Sequence, residues 1–315
     1  MTLQTEAWTQ TSYDALIAQR PPVLLIGGAT ASGKSALALA LANEWGAEIV
    51  NADSMQVYAD LAVLTARPAP AELAAAPHRL FGFVDAAEAF STGRWLEEAL
   101  AAIDDVRSRG RSAIVVGGTG LYFRSLTRGL AEIPPIPHPL REQIRAALAV
   151  REEAQLREQL RGLDPASEAR IAPGDRQRLT RALEVSLATG SGLSVWQAST
   201  APAVDVSGWR AVVVDPPRAE LYRRCDARLE RMLANGALEE VAALTARRLD
   251  PALPVMKALG VAAFAAHLRG ETGHDEALAQ ARLQTRHYAK RQLTWFRNQT
   301  PDWPRLKDAA GCLRP

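Results

Sequence analysis

Residues 23–37 read VLLIGGATASGKSAL. A short apolar run ends in glycines and passes into Gly28-Ala29-Thr30-Ala31-Ser32-Gly33-Lys34-Ser35, after which the pattern becomes helical. A Gly-x-x-x-x-Gly-Lys-Ser loop between a strand and a helix is a phosphate cradle. Its backbone N–H groups and the helix N-terminus attract anionic oxygen, Lys34 adds a point charge, and Ser35 is placed to hold Mg²⁺. The spacing does not say which molecule carries the phosphate.

Three further apolar runs have the length and turn-bounded character of buried parallel strands: AEIVNAD (47–53), SAIVVGG (112–118) and RAVVVD (210–215). Helical stretches alternate with them, SALALALANEW (35–45) and TGRWLEEALAAIDDVRSR (92–109), the latter stopped by Gly110. This alternation predicts an α/β fold with a mainly parallel sheet flanked by helices. Proline-rich GLAEIPPIPHPL and a charged helical segment interrupt it. The expectation is therefore a discontinuous α/β core at 21–128 and 177–307, a small helical insertion domain at 129–176, a helical C-terminal third, and termini at 1–20 and 308–315.

Composition narrows the class. Hydrophobic residues make up 48% and charged residues 23%, too apolar for disorder. The net charge of +2 excludes bulk nucleic-acid binding by composition, so any such affinity has to come from local arginines. The 2 cysteines, Cys225 and Cys312, form no C-x-x-C pair, and the 5 histidines make no zinc-type spacing. No basic leader with an apolar core opens the chain and no run is long enough for a membrane span, so a cytoplasmic, membrane-free protein is expected; a monomer is the default expectation, which no motif here decides.

Two more stretches carry chemistry. NADSMQVYADL (51–61) places Asp53 and Ser54 at the carboxyl end of the second strand, the edge that faces the ligand in open α/β sheets. Residue type leaves two roles open for Asp53, a proton acceptor or an ordinary turn aspartate. VVGGTGLYF (115–123) ends its strand in Gly117-Gly118-Thr119-Gly120, where a P-loop kinase or ATPase would often carry a carboxylate. Two basic stripes follow on helices. Arg224, Arg228 and Arg231 share one face, as do Arg282, Arg286, Lys290 and Arg297 with Trp295 and Phe296 nearby. Basic stripes beside aromatics suit an RNA backbone and unstacked bases, or simply a solvated helix face.

In order, GGATASGKS, NADSMQVY, APHRLFGFV, VVGGTGLYF, DRQRLTRALEV and TRHYAKRQLTWFR closely resemble the bacterial tRNA dimethylallyltransferases, also called tRNA isopentenyltransferases, from about Val23 to Arg297. The resemblance implies transfer of a dimethylallyl group from dimethylallyl diphosphate to the exocyclic N6 of adenosine 37, beside the anticodon, with Mg²⁺ assisting. It assigns the diphosphate to Gly28, Ala29, Thr30, Ala31, Ser32, Gly33, Lys34 and Ser35, with help from Arg224, and the metal to Ser35. It makes Asp53 the general base and Lys34 and Thr119 its catalytic companions. It assigns contacts with the tRNA anticodon stem-loop to Asp53, Ser54, Met55, Gln56, Thr119, Arg141, Gln177, Arg178, Leu179, Thr180 and Arg181. The sequence departs from the family pattern at Ala29, at Leu64 (usually Gly), at Gly174 (usually Asn) and at Val261 (usually Tyr). The rivals are a P-loop small-molecule kinase, a prenyltransferase acting on free AMP or ATP, and a non-enzymatic nucleic-acid binder.

Overall fold

Strand β1 (Val23–Gly28) is buried at every position and lies between two parallel neighbours. In this computed structural model the described residues are 18, 20–204 and 208–307. Helix α1 (Lys34–Trp45) follows the loop and ends at Gly46, whose φ of 63° is the left-handed position that closes helices. Next come β2 (Glu48–Asn51), α2 (Pro70–Ala75), β3 (His78–Arg79), α3 (Thr92–Ser108), β4 (Ala113–Gly117) and α4 (Gly120–Arg128). After a helical segment the sheet is completed by β5 (Trp209–Val214) and, at the far end, β6 (Arg305–Leu306). The strand order is β3-β2-β4-β1-β5-β6 and every strand pair is parallel. The parallel sheet expected from the sequence is thus present, with two short edge strands added to it.

Register fixes where the chemistry lies. Gly27 faces Gly117, and Asn51 faces Val116, so the turns leaving β1, β2 and β4 emerge at one level of one edge. The sheet face beneath α1 is sealed by Leu24, Ile26, Ile49, Ile114, Val212 and Val214 against Leu37, Ala38, Leu41 and Trp45. On α3, Trp95, Ala99, Ile103 and Val106 recur at helical spacing and are buried. Trp95 stacks on Tyr122 at a 4.0 Å centroid distance, and its indole N–H donates to Asn51 O at 2.8 Å. That bond pins the end of β2, two residues before Asp53.

At the opposite end of β2, the Glu48 carboxylate is buried and held by Arg79 (3.0 Å), Arg109 and Arg111 (3.3 Å). Hydrogen bonding from Arg109, then from Arg79, outweighs burial and lowers its pKa from 4.5 to about 2. A carboxyl whose folded pKa lies below its unfolded one stabilises the fold above pH 4.5, and that contribution is lost as pH falls toward about 2. Melting temperature should therefore drop more steeply across this window in the wild type than in Glu48→Gln. Parallel curves would show that the cluster adds nothing to acid stability.

The helical segment forms its own compact unit, Leu126–Ala203. It contains α5 (His138–Ala149), α6 (Glu153–Leu163), α7 (Pro165–Arg170), α8 (Arg176–Thr189) and α9 (Leu193–Ala198). This corrects the boundaries read from sequence, which ended the insertion at 176 and assigned α8 to the α/β core. Leu179, Ala182 and Leu183 of α8 pack with Ile144, Leu148, Leu156 and Leu160, so α8 belongs to the helical unit. Asp175 caps α8, accepting from Arg178 N at 3.1 Å, and Gly190 stops it with φ 71°.

The chain then forms α10 (Arg218–Ala234), α11 (Ala237–Ala246), α12 (Val261–Leu268) and the long α13 (His274–Gln299). None of the described helices is long and apolar enough to cross a membrane. Cys225 is a buried free thiol. Cys312 and the expected termini, apart from residues 18 and 20, lie outside the described residues.

Candidate active site

The loop Gly28–Ser35 is built around two left-handed residues, Ala31 at φ 62° and Gly33 at φ 98°. A Cβ on Gly28 would lie 2.8 Å from both Ser32 Oγ and Val214 O, so only glycine fits between the loop and β5. No side chain caps α1, which leaves its first N–H groups facing the loop. Ser32 Oγ is buried without a hydrogen-bond partner among the described residues. Lys34 is buried too, its ammonium donating to Ala29 O at 3.2 Å. Burial pulls the Lys34 pKa from 10.5 down to about 8, with the Asp53 carboxylate pulling the other way. A desolvated ammonium, an orphaned hydroxyl and an uncapped helix end together describe a site for an anion.

Helix α10 closes the loop from one side. Arg224 donates to Ser32 O at 3.4 Å while bonded to Glu220 at 2.6 Å, and Arg228 donates to Thr30 Oγ1. Cys225 Sγ lies 3.9 Å from Thr30 O. Burial lowers the Arg228 pKa and raises that of the Cys225 thiol, so the thiol is the neutral member of this group.

Asp53 stands where β2 ends. Its N–H donates to Asn51 Oδ1 at 2.8 Å, and its own Oδ1 accepts from Met55 N at 2.9 Å. Its second carboxylate oxygen has no hydrogen-bond partner among the described residues. Asn51 Nδ2 fixes the turn by donating to Asp53 O and Leu80 O, both at 3.0 Å. Thr119 joins this turn to the one after β4: its N–H donates to Ala52 O at 3.1 Å, and its Oγ1 accepts from Ser54 N at 2.9 Å. Close approach explains the glycines of that turn. A Cβ on Gly117 would sit 2.0 Å from Ala52 O, and one on Gly120 would sit 2.2 Å from the Trp295 ring. Lys34, Asp53 and Thr119 are thus gathered at one sheet edge, and no carboxylate follows β4.

Sequence reasoning missed Gln292. It lies on α13, is 5% exposed, and bonds both turns at once. Thr30 N donates to its Oε1 at 2.8 Å, and its Nε2 donates to Gly118 O at 2.9 Å. The signal was present, since the buried stripe of α13 runs Ala277, Ala281, Thr285, Ala289, Gln292 and Phe296, with an amide where an apolar residue is the norm. Tyr288 lies one turn earlier on the same helix, and burial raises its pKa.

The two basic stripes are largely consumed internally. Arg282 pairs with Glu230, and Arg286 pairs with Asp226 with Nε–Oδ1 at 2.9 Å, so α13 and α10 satisfy each other. Phe296 is buried and Trp295 covers Gly120. Of the residues linked to RNA by resemblance, Ser54, Met55 and Gln56 continue from Asp53. Gln56 Nε2 already donates to Thr65 O (2.9 Å) and Ala66 O (2.7 Å), bracing the next turn. Arg141, Gln177, Arg178, Thr180 and Arg181 belong to the helical unit. There Arg141, Arg145 and Arg181 converge on the buried Glu184, leaving a surplus of positive charge, and Arg178 is exposed beside Asp175. Leu179 is the exception: its side chain is fully buried among the helices and serves the core rather than a ligand.

The departures from the family pattern have local explanations. Leu64 has no left-handed φ, its N–H is held by Glu240 Oε2 at 2.9 Å, and its side chain is buried near Gly260. Gly174 sits at φ 82°, the region asparagine tolerates best after glycine. Val261 is a buried residue opening α12.

Comparison with known proteins finds relatives that match this chain along most of its length. The family described as IPP transferase matches residues 56–299, and the one described as isopentenyl transferase matches 21–87. The tRNA dimethylallyltransferase of Caulobacter sp. (strain K31) is 60% identical over 294 residues, covering 93% of this chain and 95% of that one. That of Phenylobacterium zucineum (strain HLK1) is 60% identical over 286 residues, covering 91% and 92%. Among solved structures, the tRNA isopentenylpyrophosphate transferase of Bacillus halodurans shares 29% identity at a TM-score of 0.63, covering 91% of this chain and 90% of that chain. A eukaryotic dimethylallyltransferase acting on tRNA shares 27% at 0.78, covering 90% and 73%.

Proposed function

The chain belongs to the IPP transferase family, and from that membership we propose that it moves a dimethylallyl group from dimethylallyl diphosphate to the exocyclic N6 of adenosine 37 in tRNA. The observation that carries this reading is the pairing of a buried ammonium in a phosphate loop with a half-free carboxylate on the next strand end. In the reaction the allylic C1–O bond breaks and diphosphate leaves with the electron pair. The N6–C1 bond forms, and the N6 proton passes to Asp53. Lys34, the loop amides and Arg224 receive charge that grows on the leaving oxygens. Thr119 holds the Asp53 turn by its bond to Ser54 N. An adenine reaching this edge has to leave its stack.

Magnesium fits the donor set in one way. No group of three or more His, Cys, Asp or Glu able to hold a metal is found among the described residues. Ser35 is exposed at the first turn of α1. An ion here would take Ser35 Oγ, diphosphate oxygens and water, the mixed shell Mg²⁺ prefers. When bound it would supply further neutralisation of the leaving group.

The test is incubation of the protein with labelled dimethylallyl diphosphate, Mg²⁺ and an anticodon stem-loop RNA. Label should appear on adenosine, and its absence, with ATP-dependent phosphorylation of a small alcohol instead, would return the chain to the kinase reading.

RNA affinity should depend on the helical unit. Arg178 is exposed, and removal of Arg181 still leaves Glu184 paired with Arg145 at 2.7 Å, so neither change orphans a buried charge. The double substitution Arg178→Ala/Arg181→Ala should raise KM for RNA and spare KM for the diphosphate. The log–log salt slope of RNA binding should become shallower by about 0.7–0.9 for each phosphate contact removed. Equal damage to both substrates would withdraw these arginines from the RNA assignment.

A further inference from the structure

Among the described residues, Gln292 is the one side chain that bonds both the phosphate-loop turn and the turn that carries Thr119. Its amide faces an N–H donor at Thr30 and a C=O acceptor at Gly118, which fixes its orientation, since a flipped amide would set like against like. Gly118 is shaped around it, because a Cβ there would lie 2.1 Å from Gln292 Nε2. From Gly118 the connection continues through Thr119 to Ala52 O and Ser54 N, on both sides of Asp53. The loop that would hold the leaving group and the strand end that would hold the base are thus joined by one buried carboxamide.

We propose that Gln292 is a positioning residue that sets the spacing between the two substrates' halves of the site, touching neither reacting atom. The proposal rests on the transferase reading above. Misplacing reacting groups by about 1 Å costs on the order of 10²-fold in rate, so the effect belongs in kcat rather than in binding.

The pattern of one acceptor and one donor can be removed and restored by pH. In Gln292→Glu an ionised carboxylate offers no donor to Gly118 O, whereas its protonated form accepts from Thr30 N and donates to Gly118 O, as the amide does. The charged and titratable groups around these turns include Tyr288 and Arg291 on the same helix, Tyr122 on α4, Lys34 on α1, Asp53 after β2, and Cys225 and Arg228 on α10. All are shared with the wild type, so the ratio of variant to wild-type rate isolates the new carboxyl. Gln292→Met is the control of similar size that cannot titrate.

Single-turnover transfer to anticodon stem-loop RNA would be measured with the full chain between about pH 5 and pH 8 at a temperature where circular dichroism shows each variant folded. At the upper end Gln292→Glu should lose about 10²-fold in rate with both KM values within about 3-fold of wild type. Its ratio to wild type should rise at least about tenfold toward the lower end, while that of Gln292→Met stays low and flat. A flat ratio for Gln292→Glu, a loss confined to KM, or failure of both variants to fold at any assay temperature would overturn the proposal. Absence of transfer by the wild type itself would instead overturn the transferase reading, so the two failures are distinct.

Discussion

Lys34→Ala should abolish most of the transfer activity while leaving the fold in place. The ammonium is buried yet makes one hydrogen bond, to Ala29 O, and the α1 core beneath it is made by Leu37, Ala38 and Leu41. Removing it relieves a desolvated charge rather than breaking a packed contact, so thermal stability should hold or rise slightly. Catalysis is another matter. A preorganised cation aimed at a leaving group is worth about 3 kcal/mol in comparable sites, or on the order of 10² in rate. The pH behaviour supplies an independent check. With a pKa of about 8, the free enzyme's Lys34 loses its proton as pH rises through that value. Donor KM should therefore climb above pH 8 in the wild type, and Lys34→Ala should lose the part of that climb that the lysine causes. Unchanged turnover in the folded variant would sink the leaving-group role.

The parts of this site legible in the sequence are those that are local in the chain. Gly28 to Ser35 could be read because a strand, a tight anion-binding turn and a helix start impose a fixed spacing on neighbours. The same holds for β1, β2, β4 and β5, whose apolar runs match the observed strands to within a few residues. His78–Arg79 and Arg305–Leu306 were invisible because two residues cannot show alternation. Helix α8 showed its own amphipathicity but not the partner of its apolar face. Sequence alone therefore ends the insertion too early and groups Leu179 with its exposed neighbours. Gln292 and Arg228 were hidden for a deeper reason. Each acquires its role from a contact with Thr30, 262 and 198 residues away in the chain, which no window of sequence contains. The α13 stripe has the same lesson: periodicity shows that Arg282 and Arg286 share a face, and only packing reveals Glu230 and Asp226 of α10 opposite them.

Asp53→Asn separates the proton acceptor from everything else Asp53 does. Oδ1 of the aspartate accepts from Met55 N at 2.9 Å, and the asparagine carbonyl oxygen can keep that bond. The Asn51 bonds to the backbone of residue 53 do not involve its side chain and remain. Only the second oxygen changes, from an acceptor to an amide that cannot take a proton. The turn, Thr119 and the residues Ser54, Met55 and Gln56 after it should thus keep their places. Single-turnover rate with saturating RNA and dimethylallyl diphosphate should fall by about 10² or more, with RNA affinity nearly unchanged. The loss separates Asp53 from a residue that merely grips RNA, whose removal would raise KM and spare the rate of bound substrate. It also bears on Lys34, since the carboxylate is the attraction that offsets part of the burial effect on that ammonium. With Asp53 neutralised, the Lys34 pKa should move further below about 8, and the climb of donor KM should begin at lower pH than in the wild type. Normal turnover of bound RNA would mean that Asp53 does not accept the proton, and a donor KM profile that does not shift would mean that it shares no field with the phosphate loop.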